Sequence, residues 1–306
     1  MHAIQTLWTR ISHKAGKEHG EAVSPPLTNL ASFDELLEFH ADRLPNIRVI
    51  RKRIYHFGCV VIRGFLPVQR VLEYRALTER CYASCAGLIK ILQIDEDTPV
   101  DDIKDAGLRE FVRNIRIGQI WPEWFEPLTS GRSMYDLLGA EQRRFIRSLF
   151  GSEWFKGAGH IRRVSPLSTQ QSKTWQEPIC MHCDGPVLSR HTYSINIWVP
   201  LDDCGADAPG LQLVPDAFKE RQEAVRHDLE TSYVDMELEL AVQRHYSSEL
   251  DGKPRFRPRL ARGDVVMFHN WVMHGTFSRP EMTNPRTSFE LRFNAPRRRD
   301  FEQFAR

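Results

Sequence analysis

The chain has 306 residues, with 42 Lys and Arg against 40 Asp and Glu, a net charge of +2. Its 41% hydrophobic content supports a sizeable core and excludes a disordered chain. No apolar run approaches the ~20 residues of a membrane helix, and the balanced charge offers no overall basic field for nucleic acid.

Residues 1–31 read as an N-terminal extension. Ile4, Leu7, Trp8 and Ile11 recur at helical spacing, and no acid precedes Glu18; a short surface helix is preferred to an organelle-targeting one. Ser32 and Glu35 form a capping-box pattern, and Phe33, Leu36, Leu37, Phe39 and Leu44 continue it as a helix. A second helix runs through Ile47, Val49, Ile50 and Ile54 to Gly58, and Cys59–Ile62 follows as a strand. Val68, Val71, Leu72, Leu77 and Tyr82 outline a longer helix after Pro67. Residues 93–110 are acidic and read as solvated loop and helix surface, and Tyr135–Phe150 reads as one further helix.

The second half changes to short β-prone runs separated by turn residues: His160–Val164, Ile179–Asp184, Tyr193–Pro200, Gly210–Val214, Val265–Phe268, Val272–Phe277 and Arg286–Phe293. A helical stretch near Phe218–Leu229 interrupts them. Many short strands at this spacing predict an α+β, mainly β chain with a jelly-roll core and flanking N-terminal helices. Residues 32–296 read as one domain with an insert at about 218–258, and 297–306 as a basic tail containing Arg297-Arg298-Arg299. The six cysteines (Cys59, Cys81, Cys85, Cys180, Cys183 and Cys204) show no disulfide spacing, which points to reduced thiols in a cytoplasmic protein.

The chemistry concentrates in Cys180-Met181-His182-Cys183-Asp184-Gly185-Pro186. Residues two apart on a strand share a face, with Cα atoms ~6.6 Å apart, so His182 and Asp184 can reach one metal ion. A third ligand must come from elsewhere; His274 is the best candidate and His269 its rival. Two histidines and a carboxylate form the facial triad of non-haem Fe(II) sites, which leaves three positions open. Taken alone, His-x-Asp is common by chance. Cys180 and Cys183 with His182 offer half of a zinc site, without a second pair at a suitable spacing.

Arg286, Ser288, Glu290 and Arg292 share one face of the last strand. If residues 278–285 close a hairpin, Arg286 lies near Thr276 and Ser288 near His274. Arg292 then stands ~20 Å further along. On that geometry Arg286 is the better anchor for a diacid at the metal, gripping its carboxylate through two parallel hydrogen bonds.

These segments resemble the phytanoyl-CoA dioxygenase-like branch of the Fe(II)/2-oxoglutarate-dependent oxygenases. The resemblance rests on Gly58-Cys59-Val60-Val61-Ile62-Arg63-Gly64, His182-Cys183-Asp184-Gly185, Ile195 to Cys204 and Gly210 to Pro215. It continues through Gly263 to His269, His274-Gly275-Thr276 and Arg286-x-Ser288, in family order over residues 58–293. It implies a double-stranded β-helix of the cupin-like type. His182, Asp184 and His274 would hold the catalytic Fe(II). Arg286 would bind the distal carboxylate of 2-oxoglutarate, with Ser288, Thr276 and Trp198 lining the same pocket. It also implies oxidative decarboxylation of 2-oxoglutarate by O2, coupled to hydroxylation of an unactivated C–H bond. It specifies no substrate; a small metabolite or natural-product intermediate is the expectation preferred here. A halogenase is disfavoured because Asp184 is present. The loop Phe277 to Asn284 departs from the family pattern, and its Arg279 competes with Arg286 for the carboxylate. Two rival functions remain: a hydroxylase of a protein or nucleic acid, and a non-catalytic metal-binding module. The runs Arg143-Arg144, Arg162-Arg163 and Arg297 to Arg299 are scattered, and an acidic small substrate explains local arginines equally well.

Overall fold

The computed structural model describes residues 33–95, 97–151, 154–157, 159–166, 181–184, 193–215 and 254–295. The expected N-terminal extension, the Ser32 cap, the helical stretch 218–229 and the basic tail lie outside them.

Helix α1 (Phe33–Leu37) is shorter than its sequence pattern predicts, because the chain turns at Glu38 into strand β1 (Glu38–His40). There it pairs in parallel with β2 (Cys59–Arg63), and Glu38 takes a two-pronged ion pair from Arg63, at 2.9 and 2.5 Å. Between them, α2 (Ile47–Phe57) begins where the Asn46 side chain accepts from Arg48 N–H. It ends at Gly58, whose φ of 80° suits a residue without Cβ.

Helices α3 (Val68–Ile91), α4 (Ala106–Arg116), α5 (Pro122–Leu128) and α6 (Ala140–Phe150) complete the helical part, with the short strand β3 (Gln119–Ile120). The single helix expected over 135–150 is divided. Ser133 and Asp136 close a capping box on a 3-10 turn, Met134–Leu137, and extended Gly139 starts α6 afresh.

The remaining strands are β4 (Phe155–Lys156), β5 (His160–Val164), β6 (Tyr193–Pro200), β7 (Gly210–Val214), β8 (Val265–His269), β9 (Met273–Phe277) and β10 (Arg286–Ala295). Of the expected strand 179–184, residues 181–184 are described, and His182 alone among them pairs, through a single bridge to His274.

Among the described residues the large sheet runs β1-β2-β8-β6-β10-β5-β3, with β4 beside the end of β10. β2, from the helical half, is hydrogen-bonded to β8, so both halves of the chain share this sheet. The small sheet is β7 with β9, widened by the bridges His182↔His274 and Leu213↔Phe256.

Strand alternation sends side chains to two separate cores. Val60, Ile62, Ile197, Met267, Phe289 and Leu291 pack outward against α2, α3, α5 and α6. Cys59, Val61, Trp198, Val266 and Phe268 point inward and meet Leu211, Leu213 and Phe256 of the small sheet. This two-sheet sandwich is the predicted jelly roll, with helices on the outer face of its large sheet.

One expectation fails here. β9 and β10 do not form a hairpin. β9 pairs with β7 in the small sheet, whereas β10 lies between β6 and β5 in the large one. Residues 278–285 therefore cross between sheets. The reason is burial on both faces of β10. Phe289 packs against Tyr74 and Phe125 on the helical side, with ring centres 6.0 and 5.8 Å away, while Arg286, Ser288, Glu290 and Arg292 face the interior.

Candidate active site

His182 and His274 face each other across the small sheet. Each backbone N–H donates to the other's carbonyl at 2.8 Å, the hydrogen-bonded pair of an antiparallel ladder. Their rings consequently project together, with centroids 4.4 Å apart. Asp184 completes the cluster. Its Oδ1 lies 3.5 Å from His182 Nε2 and 3.9 Å from His274 Nε2. The three potential ligand atoms lie within 4.8 Å of one another. Two imidazole nitrogens and one carboxylate oxygen match the donor set of a non-haem Fe(II) site.

The surroundings prepare these donors. His274 Nδ1 lies 2.9 Å from Val272 O; a carbonyl only accepts, so Nδ1 carries the proton and Nε2 is left for a metal. Burial and the neighbouring His182 push the His274 pKa down, keeping the ring neutral. Burial alone would raise the Asp184 pKa, but Arg292, His274 and the His182 hydrogen bond together hold it well below the usual carboxylate range.

The rival ligand His269 lies at the end of β8, outside this cluster. Its Nδ1 accepts from Trp271 N–H at 3.1 Å, and burial pushes its pKa down to about 3. Cys183, half of the zinc alternative, is buried, and Cys180 lies outside the described residues.

Arg286 opens β10 and is 2% exposed. Its Nη1 donates to Ser288 Oγ at 2.5 Å and its Nε to Pro209 O at 3.1 Å. Its guanidinium carbon sits 5.0 Å from the centre of the Trp198 ring. No carboxylate pairs with it among the described residues, and burial lowers its pKa to about 10. Pro209 precedes the Gly210↔Phe277 pair, so Arg286 reaches across to the end of the small sheet. Thr276 is buried and shares the His274 face of β9. The structure thus brings Arg286, Ser288 and Trp198 into contact. Arg279 is half-exposed on the crossover, 3.9 Å from Glu281 and 3.3 Å from Ala206 O.

Arg292 is not the distant residue that a hairpin would make it. With β10 in the large sheet, His182, Asp184 and His274 sit toward its far end. There Arg292 Nη2 lies 3.1 Å from Asp184 Oδ2. Asn196, its register partner on β6, donates to the same oxygen at 2.6 Å. Glu290 forms an ion pair with Arg292. Two signals were present: the alternation placing Arg292 inward, and the amide of Asn196 between Ile195 and Ile197 in a mostly apolar strand.

The sequence matches the phytanoyl-CoA dioxygenase (PhyH) family over residues 54–280. No curated protein matches it. Similar solved structures include the non-heme alpha ketoglutarate dependent epimerase SnoN from nogalamycin biosynthesis, at 15% identity, 81% of each chain covered and a TM-score of 0.46. EvdO2 from Micromonospora carbonacea var. aurantiaca, complexed with 2-oxoglutarate, is 16% identical, with 83% of this chain and 91% of that chain covered and a TM-score of 0.48. EctD from S. alaskensis in its apoform is 14% identical, with 80% and 75% covered and a TM-score of 0.49. None of their reactions is carried over from that likeness. The family match itself spans His182, Asp184 and His274 and most of the chain: the protein belongs to the phytanoyl-CoA dioxygenase family and is an iron- and 2-oxoglutarate-dependent oxygenase.

Proposed function

We propose that the enzyme hydroxylates an unactivated C–H bond of a small molecule, a metabolite or natural-product intermediate. In this reading His182, Asp184 and His274 hold Fe(II), and Arg286 binds the distal carboxylate of 2-oxoglutarate. The observation that carries it is the charge of Arg286. A buried guanidinium without an ion pair among the described residues costs several kcal/mol, and a ligand carboxylate would supply a counter-charge with matching two-pronged geometry.

When bound, iron and 2-oxoglutarate would let O2 act as the oxidant, with two of its four electrons coming from decarboxylation of 2-oxoglutarate and two from the C–H bond. The residues of the chain bind, orient and exclude water. Ser288 Oγ and Pro209 O hold the Arg286 fork, and the Trp198 face adds a cation–π contact. Thr276 offers a hydroxyl for the same ligand. Phe268, 4.6 Å from the His274 ring, and the apolar inner core keep water from the enclosed side.

A small molecule is favoured over nucleic acid because the described basic runs are engaged in the fold. Arg163 lies over the Tyr82 ring and pairs with Glu79, Arg143 pairs with Asp136, and Arg162 is buried. A cytoplasmic location is supported by the buried free thiols of Cys59, Cys81, Cys85 and Cys204. No helix among the described residues is long and apolar enough to cross a membrane.

The test combines spectroscopy and turnover. Anaerobic Fe(II) with 2-oxoglutarate should give a weak visible charge-transfer band that Asp184→Ala lacks. In air, a metabolite panel should include a compound that raises succinate release and gains one oxygen atom in mass. Neither band nor succinate would sink the oxygenase chemistry. Succinate with a product that gains no oxygen would sink hydroxylation alone.

A further inference from the structure

We propose that Arg292 and Asn196 keep Asp184 a one-oxygen ligand, so that three neighbouring coordination positions stay open at the metal. The proposal rests on the Fe(II) reading of His182, Asp184 and His274, and it assigns roles to two residues outside that triad.

The two oxygens of Asp184 have different neighbours. Oδ1 faces the histidine nitrogens, at 3.5 and 3.9 Å. Oδ2 accepts from Asn196 Nδ2 at 2.6 Å and from Arg292 Nη2 at 3.1 Å. A carboxylate oxygen has about two lone-pair sites, so two donors saturate Oδ2. Turning Oδ2 toward a metal would break both bonds in a buried setting, where each bond to a charged group is worth about 1.5–3 kcal/mol.

The donors are themselves immobilised. Arg292 Nε donates to Asn196 Oδ1 at 3.3 Å, which closes a triangle with Asp184. Glu290 pairs with the same guanidinium. The backbone of Arg292 is pinned by Tyr135: its N–H donates to the phenol oxygen at 3.1 Å, and its carbonyl and Gly157 O each lie 2.8 Å from that oxygen. Asn196 is fully buried and Arg292 is 8% exposed, so bulk water does not replace them. Arg292 already faces two carboxylates, Asp184 and Glu290, and is thereby a positioning residue rather than an anchor for an anionic ligand.

The consequence is a count of coordination positions. A six-coordinate metal with three protein donor atoms has three positions left, enough for a two-toothed cosubstrate and O2. A two-oxygen Asp184 would leave two.

The experiment uses Mn(II) on the full chain. Metal-bound water is counted from line broadening of the Mn(II) resonance in oxygen-17 water. The wild type should hold three waters. Arg292→Met combined with Asn196→Ala should hold two, and should bind 2-oxoglutarate about ten-fold or more weakly at the Mn(II) site. Arg292→Lys with Asn196 retained should return to three. Three waters in a folded double variant would overturn the proposal. Where the double variant does not fold, Asn196→Ala alone decides: unchanged 2-oxoglutarate binding overturns it, and weakened binding with lowered water count supports it. A wild type that holds no more Mn(II) than Asp184→Ala would instead overturn the metal site itself, and with it this proposal.

Discussion

Arg286 and Arg292 stand on one face of β10, and of the two only Arg292 has a carboxylate partner among the described residues. The strand therefore presents two buried cations in opposite states. Arg292 is neutralised by the protein, while Arg286 is held by a hydroxyl, a carbonyl and an indole face.

Replacing Arg286 by Met should weaken 2-oxoglutarate binding by about 2–5 kcal/mol, roughly thirty-fold to a few thousand-fold. Arg286→Lys should recover part of it, because a point charge lacks the fork. Arg279→Ala should change little, since its side chain is half-exposed on the crossover. Titration of the anaerobic Fe(II)–2-oxoglutarate band measures all three, and the reverse ranking would move the anchor to Arg279.

Among the histidines, His274→Ala should abolish retained Fe(II) after anaerobic loading and desalting, as should Asp184→Ala. His269→Asn should retain metal, because His269 binds Trp271 N–H and lies outside the cluster. Loss of iron in His269→Asn with retention in His274→Ala would reverse the ligand assignment.

Acid should destabilise the metal-free protein from a pH well above the carboxylate range. His269 and His160 each have a folded pKa of about 3 against an ordinary 6.5, in both cases chiefly through burial. Between those values the unfolded chain binds the proton and the folded chain does not. The stability is thus fully present above 6.5 and falls as pH drops toward 3, by up to about 1.4 kcal/mol per pH unit for each group. Asp184, with its depressed pKa, adds a loss only below its ordinary value of 3.8. Urea midpoints at about pH 7 and about pH 5 should show a shallower slope in His269→Gln than in the wild type; an equal slope would remove His269 from the explanation.

The turn before β8 should be sensitive to a single methyl group. Gly263 has a φ of 100°, and a Cβ there would meet Leu66 O at 2.7 Å. Gly263→Ala should cost about 1–3 kcal/mol. Neighbouring Asp264 accepts from Gly64 N–H and Ala261 N–H, both at 2.9 Å, and pairs with Arg63 at 2.8 Å. Asp264→Ala should cost about 3–5 kcal/mol. Thermal unfolding reads both, while 2-oxoglutarate binding per folded molecule should stay unchanged.

Sequence alone determined the local features. β-Prone runs and the turn residues beside them set the bounds of Tyr193–Pro200 and Gly210–Val214, because strand and turn preferences are local to the chain. Left-handed Gly58 likewise marked the end of α2, and the chemistry of His182, Asp184 and His274 was legible as a donor set. Tertiary structure decided the partners. The residues Glu38–His40 left their helical pattern for a parallel pairing with β2, held by the Arg63 ion pair. β10 took β6 rather than β9, since both of its faces had to be buried. A strand's own sequence specifies its two faces, but its neighbour is chosen by distant surfaces competing for those faces. That choice carried Arg292 to Asp184 and left Arg286 with no ion pair among the described residues.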